Sequence, residues 1–287
     1  MNNLPKGQSY LCGQANEPLL YETIGACVER IAATYPDKEA LVVRHQNIRW
    51  TFSEYKSRID ALAAGLVSLG VEPGDRVGIW SPNRVEWCLT QFATAKIGAI
   101  MVCINPAYRP YELEYALNKV KCQTIITAAQ FKTSEYLRML QEMAPELATC
   151  EPGELKSIKL PHLTTVIRMG DTVSPGMFNF DKVCEMGDDT HYDRMAEIAP
   201  TLQADDAINI QFTSGTTGSP KGATLSHFNI LNNGLQVGAG MRFTSEDRLC
   251  IPVPLYHCFG MVMGNLTCMT HGACAVFPDE GFDPDVV

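Results

Sequence analysis

Thr213-Ser214-Gly215-Thr216-Thr217-Gly218-Ser219-Pro220-Lys221-Gly222 is a run of small, hydroxylated and glycine residues with a lysine near its end. Glycines let a loop bring backbone N–H groups close to an anion, the hydroxyls add donors, and the lysine supplies a positive charge on a flexible stem. Such a set suits phosphates, with ATP the obvious ligand. The spacing is not that of a Walker A loop, Gly-x-x-x-x-Gly-Lys-Ser/Thr: Ser219 and Pro220 stand between Gly218 and Lys221, and no hydroxyl residue follows the lysine. The usual magnesium ligand of that loop is missing, which disfavours a P-loop kinase or GTPase. On composition alone the run reads as a solvated Gly/Ser/Thr loop.

The run resembles, nearly letter for letter, the phosphate-binding signature of the adenylate-forming enzymes, which include acyl-CoA synthetases, luciferases and peptide-synthetase adenylation domains. Tyr256-His257-Cys258-Phe259-Gly260 is similar to that family's second core motif. Asn105-Pro106-Ala107-Tyr108-Arg109, followed by Glu112-Leu113 and Tyr115, resembles its upstream region. The likeness runs over roughly residues 20 to 287 and is nearest the fatty acyl-CoA synthetase branch.

The resemblance implies an acid–thiol ligase that converts a medium- to long-chain fatty acid to acyl-CoA through an acyl-adenylate, using ATP, Mg2+ and CoA. A carboxylate is unreactive because its leaving group would be oxide. The family makes it attack the α-phosphorus of ATP, releasing pyrophosphate, and the mixed anhydride then reacts with the CoA thiol. Both reactants are anionic, so the site must neutralise phosphoryl charge and hold them in line. By motif, Thr213, Ser214, Gly215, Thr216, Thr217, Gly218, Ser219, Pro220 and Lys221 surround the β- and γ-phosphates.

His257, by the same resemblance, lies beside the substrate carboxylate and the α-phosphate and donates to the developing charge. Taken alone, a histidine opening an apolar helix is more often a core or capping residue. Phe259, Gly260 and Met261, with Gly264, leave room for an acyl chain, although glycines at i and i+4 also allow close helix packing. Met261, Met263 and Met269 suit an adaptable apolar lining or ordinary core. The Asn-Pro pair at 105–106 suits a sharp turn after a strand, and Asp205-Asp206 and Glu246-Asp247-Arg248 read as solvated turns.

Other family features have no counterpart: the Thr-Glu pair for magnesium and adenine, the ribose aspartate, and the C-terminal domain with its catalytic lysine. The expectation is therefore an N-terminal portion of a longer enzyme, inactive alone, with no metal ligand of its own. A change of acceptor, as in luciferases or adenylation domains, or a non-catalytic acyl- or nucleotide-binding fragment, stays open.

With 287 residues, 46% hydrophobic and 19% charged, the chain has ample material for a core. A net charge of −9 argues against a nucleic-acid footprint but not against a local phosphate pocket. Eleven cysteines, scattered and without a Cys-x-x-Cys pair, read as reduced and mostly buried. Six histidines show no zinc spacing. No signal core, Arg-rich leader or membrane-length apolar run is present, giving a cytoplasmic expectation, or the mitochondrial matrix if a leader has been removed. A homodimer stays open.

These residues need elements to position them. The pattern predicts a helix over 20–35, a hairpin over 40–51 turning at Gln46-Asn47, and a helix from a Ser53 cap to Leu69 stopped by Gly70. Strands over 75–80, 99–104 and 124–127 alternate with helices over 84–96 and 110–120. Residues 145–200, interrupted by prolines and glycines, read as loops and a lobe boundary. Strict alternation over 207–213 predicts a strand running into the phosphate loop, and Ser226 caps a helix over 227–237. Asp283 and Pro284 read as the start of a helix. The implied fold is α/β, a doubly wound, largely parallel arrangement in two packed sublobes at 40–200 and 205–287, part of an AMP-binding domain.

Overall fold

The computed structural model describes residues 18–213 and 220–287. In chain order these form α1 (Ile24–Thr34), β1 (Glu39–Val43), β2 (Ile48–Thr51), α2 (Phe52–Ser68), β3 (Arg76–Trp80), α3 (Val85–Lys96), β4 (Ile100–Cys103), α4 (Pro110–Lys119), β5 (Thr124–Thr127) and α5 (Tyr136–Met143). There follow β6 (Thr165–Arg168), β7 (Phe178–Asn179), α6 (Phe180–Cys184), α7 (Asp189–Ile198), β8 (Ala207–Thr213), β9 (Lys221–Ser226) and α8 (His227–Met241). Last come β10 (Arg248–Cys250), a π-helix (Phe259–Leu266), α9 (Thr267–His271) and β11 (Cys274–Phe277).

Local chemistry sets the boundaries. The Thr23 hydroxyl accepts from the Ala26 N–H at 3.1 Å, so α1 starts four residues later than the apolar pattern suggests. α2 is capped by Thr51 rather than Ser53: its hydroxyl accepts from the Glu54 N–H (3.2 Å) while the Glu54 carboxylate accepts from the Thr51 N–H (2.8 Å). This reciprocal Thr-x-x-Glu box satisfies two orphan donors, which Ser53 alone could not do. Ser226 caps α8 as expected, accepting from the Asn229 N–H.

Two sheets result. The larger has the order β7-β6-β5-β3-β4-β8-β9 and the smaller β10-β11-β1-β2. Pairings are parallel except for β9 on β8 and β2 on β1, each an antiparallel edge. The sheets interleave the segments 40–200 and 205–287: β8 and β9 complete the larger sheet beside β4, while β10 and β11 join β1 and β2.

Residues 145–200 differ from the loop expectation, because they supply β6, β7, α6 and α7. β6 is only four residues long and buried throughout, so it carries no alternation to read, and α7 is too polar to show a strong apolar stripe. A second difference is β9, an exposed polar strand where a loop was expected; pairing with β8 satisfies its backbone despite its composition. At the other end, Asp283 accepts from the Asp285 N–H in a turn rather than capping a helix.

α3 lies on β3 and β4 and against α2, which in turn packs on β1 and β2. Its residues from Val85 to Ala95 are all buried, as an element covered on both sides requires. The chain passes from β3 to β4 on one side, then back across β3 to β5. With right-handed crossovers, α3 and α4 leave on opposite faces, so a crevice opens at the carboxyl ends of β3 and β4.

Candidate active site

The phosphate run sits on the β8–β9 hairpin. Thr213 and Lys221 are register partners at its mouth, and both are exposed. Ser214, Gly215, Thr216, Thr217, Gly218 and Ser219 lie outside the described residues. Pro220 is pinned from α4, where the Tyr115 hydroxyl donates to its carbonyl oxygen at 3.2 Å. Position at the carboxyl end of β8, whose inner residues Ile208 to Gln211 are buried, matches where open α/β sheets place ligands.

His257 is exposed, and its Nδ1 accepts from the Phe259 N–H at 3.2 Å. That bond assigns the neutral ring's proton to Nε2, leaving it as a donor. The π-helix that follows splits the expected acyl-pocket residues. Phe259 is 53% exposed and Met263 39% exposed, whereas Gly260 and Met261 face inward. A Cβ on Gly260 would lie 2.4 Å from the Pro254 carbonyl oxygen, so this glycine serves a close backbone approach. At Gly264 an added Cβ would meet Ile251 side-chain atoms at 3.0 Å. Met261 is fully buried, its sulfur 3.5 Å from Gln211 Nε2. This contact ties the His257 segment to the strand that carries the phosphate loop. Met269 is likewise buried core.

The crevice at the carboxyl ends of β3, β4 and β5 is a cleft of about 460 Å³. Its walls include Asn83 after β3, Asn105 to Ala107 and Arg109 after β4, Phe131 and Lys132 after β5, and Tyr256. The Asn105 turn is pinned as a structural element: Trp80 Nε1 donates to the Asn105 carbonyl (3.2 Å), and Tyr136, stacked on Trp80 at 3.8 Å, donates to the Pro106 carbonyl (2.7 Å). Burial, with Glu112, Tyr256 and Tyr115 nearby, raises the Tyr108 pKa. Residues of the upstream motif and Tyr256 of the histidine motif therefore line the same cleft.

The AMP-binding enzyme family model matches residues 28–287. The chain belongs to the AMP-binding enzyme family. It is 45% identical over 277 residues to the mitochondrial medium-chain acyl-CoA ligase ACSF2 of Danio rerio, covering 96% of this chain and 46% of that ligase. It is 40% identical over 269 residues to the putative acyl-CoA synthetase YngI of Bacillus subtilis (strain 168), covering 94% of this chain and 49% of that protein. The chain thus spans about half the length of these relatives. Its fold matches a long-chain-fatty-acid-CoA ligase (FadD1) from Archaeoglobus fulgidus with a TM-score of 0.77 and 21% identity, over 96% of this chain and 50% of the other.

In this AMP-binding enzyme chain the other expected chemistry is quiet. Ten cysteines among the described residues are free thiols, and burial pushes Cys27, Cys103 and Cys122 up to about 12. Burial also raises Cys258, beside His257, which disfavours its thiolate. No group of three or more His, Cys, Asp or Glu among the described residues is placed to hold a metal ion. No described helix is long and apolar enough to cross a membrane.

Sequence reasoning missed Arg109 and Lys132 as cleft cations and Asn83 as a buried wall residue. The signal for Lys132 was the Phe131–Ser134 stretch a few residues after the buried strand β5, which forms a tight bridge with Lys132 at φ +53°. Nothing local marks Asn83, whose partners are about 170 residues away.

Proposed function

We propose that this chain binds ATP and a medium- to long-chain fatty acid and serves the conversion of that acid to its CoA thioester. A carboxylate oxygen attacks the α-phosphorus, the bond from that phosphorus to the bridging oxygen breaks, and pyrophosphate leaves. The CoA thiol, losing its proton, then attacks the acyl carbon and expels AMP. The observation that carries this reading is the pairing of Thr213 with Lys221 at the mouth of a hairpin braced by Tyr115, in a chain of the AMP-binding enzyme family.

Lys221 neutralises charge on the β- and γ-phosphates, and the hydroxyls and N–H groups of the run complete the cradle. His257 donates from Nε2 to the α-phosphate and carboxylate as charge builds. The acyl chain lies along Phe259 and Met263, about one turn apart on the π-helix, while Gly260 and Met261 hold that helix in place. CoA takes the cleft: Arg109 and Lys132 meet its phosphates, and apolar atoms of Phe131, Pro106 and Pro254 line its flexible arm. The cytoplasm would supply these substrates, as would the mitochondrial matrix, a reading supported by the word mitochondrial in the name of the Danio rerio relative.

Stable acyl-sulfamoyl adenosines of short, medium and long chain test the reading by calorimetry. Affinity that rises with chain length and falls in Phe259→Ala supports it; affinity indifferent to the acyl group contradicts it.

A further inference from the structure

We propose that Asn83 is the positioning residue for His257, an inference that rests on the role given to His257 above. Asn83 stands in Ser81-Pro82-Asn83-Arg84, between β3 and α3, at the point where the strand order reverses. It is 2% exposed. Its Nδ2 donates to the Val253 carbonyl at 3.0 Å, and its Oδ1 accepts from the Leu255 N–H at 2.8 Å.

Those two backbone groups flank Pro254 in a bend and turn, just past the Ile251 N–H that still pairs with β11 through the Val276 carbonyl. The carboxamide of Asn83 holds the chain on both sides of Pro254. It is itself held, because its own N–H donates to the Glu280 carbonyl at 3.0 Å and the next residue, Arg84, forms an ion pair with the Glu280 carboxylate.

The clamped segment is the platform of the histidine. The Pro254 carbonyl accepts from the His257 N–H at 3.2 Å, and the His257 carbonyl accepts from the Met261 N–H at 3.0 Å. Gly260 packs so closely on Pro254 and Leu255 that any shift of these residues is passed to the first turn of the π-helix. A carboxamide alone among side chains of this size both donates to Val253 and accepts from Leu255. Asp keeps the acceptor and loses the donor; Leu keeps the volume and loses both.

The test uses the ligand-free chain labelled at its six histidines and followed by NMR. In Asn83→Asp and Asn83→Leu the ring signals of His257 shift and broaden, while those of His162, His191 and His271 stay in place. Affinity for an acyl-sulfamoyl adenosine falls by about tenfold in Asn83→Asp, which loses one buried hydrogen bond, and by at least as much in Asn83→Leu, which loses two, whereas affinity for pyrophosphate changes by less than about twofold in either. A His257 signal in folded Asn83→Asp that superimposes on the wild-type signal overturns the proposal. Asn83→Asp alone decides if Asn83→Leu does not fold. Should the unmodified chain fail to bind the analogue, the proposed function falls, and the ligand-free spectra still decide the role of Asn83.

Discussion

The Tyr115 hydroxyl donates to the Pro220 carbonyl at 3.2 Å and so fixes one root of the phosphate hairpin from helix α4. The contact joins two motifs separated by 105 positions in the chain. Tyr115→Phe removes this bond and little else. ATP affinity should fall about three- to tenfold and stability by about 0.5–1.5 kcal/mol, the ordinary worth of one such bond. Unchanged ATP binding in calorimetry would detach Tyr115 from the site.

Arg109 and Lys132 give the cleft its positive charge. Replacing either by Ala should weaken CoA binding by roughly 0.5–2 kcal/mol, more at low salt than at high salt, because the partner is a phosphate. Binding of dephospho-pantetheine, which lacks the phosphates, should be indifferent to both changes. Equal losses for both ligands would count against a phosphate contact.

Gly260 and Gly264 answer a question that their spacing left open. At Gly260 the obstruction is the backbone carbonyl of Pro254, 2.4 Å from an added Cβ, whereas at Gly264 it is the side chain of Ile251 at 3.0 Å. Gly260→Ala should therefore cost about 1–3 kcal/mol in urea unfolding, and Gly264→Ala clearly less. A reversed order would contradict the packing described.

The α/β alternation was legible because helices such as α2 carry an apolar stripe and strands such as β8 carry a period of two. The phosphate hairpin was half legible: β8 announces itself, but β9, Lys-Gly-Ala-Thr-Leu-Ser, is a strand only because β8 offers it partners. β6 was hidden by its shortness and full burial. At the site, residue types pointed to Lys221 and His257, yet nothing in the spacing could separate outward Phe259 from inward Met261, because the eight-residue π-helix has a period that helical patterning does not assume. Asn83 was illegible for a different reason, since its meaning lies in two backbone groups far away in the chain.

His227 makes the fold sensitive to acid. Its Nδ1 accepts from the Ile24 N–H at 3.0 Å, and Nε2 is buried with no hydrogen-bond partner among the described residues. Burial lowers its pKa from 6.5 to about 4. The folded state thus prefers the neutral ring, and the stability this represents is present above pH 6.5 and lost as pH falls through 4. The loss is on the order of 3 kcal/mol. His227→Gln, less stable at neutral pH, should show a flatter decline over that window in denaturant titrations. Parallel declines would remove His227 as the cause.

The central claim is that the hairpin between Thr213 and Lys221 holds the phosphates of ATP. Calorimetric titration of the chain and of its Lys221→Ala variant with magnesium-ATP tests it most directly. We predict saturable binding by the chain and a loss of at least about tenfold in the variant, as removal of a charged phosphate contact should give. Equal affinity in the two would contradict the claim.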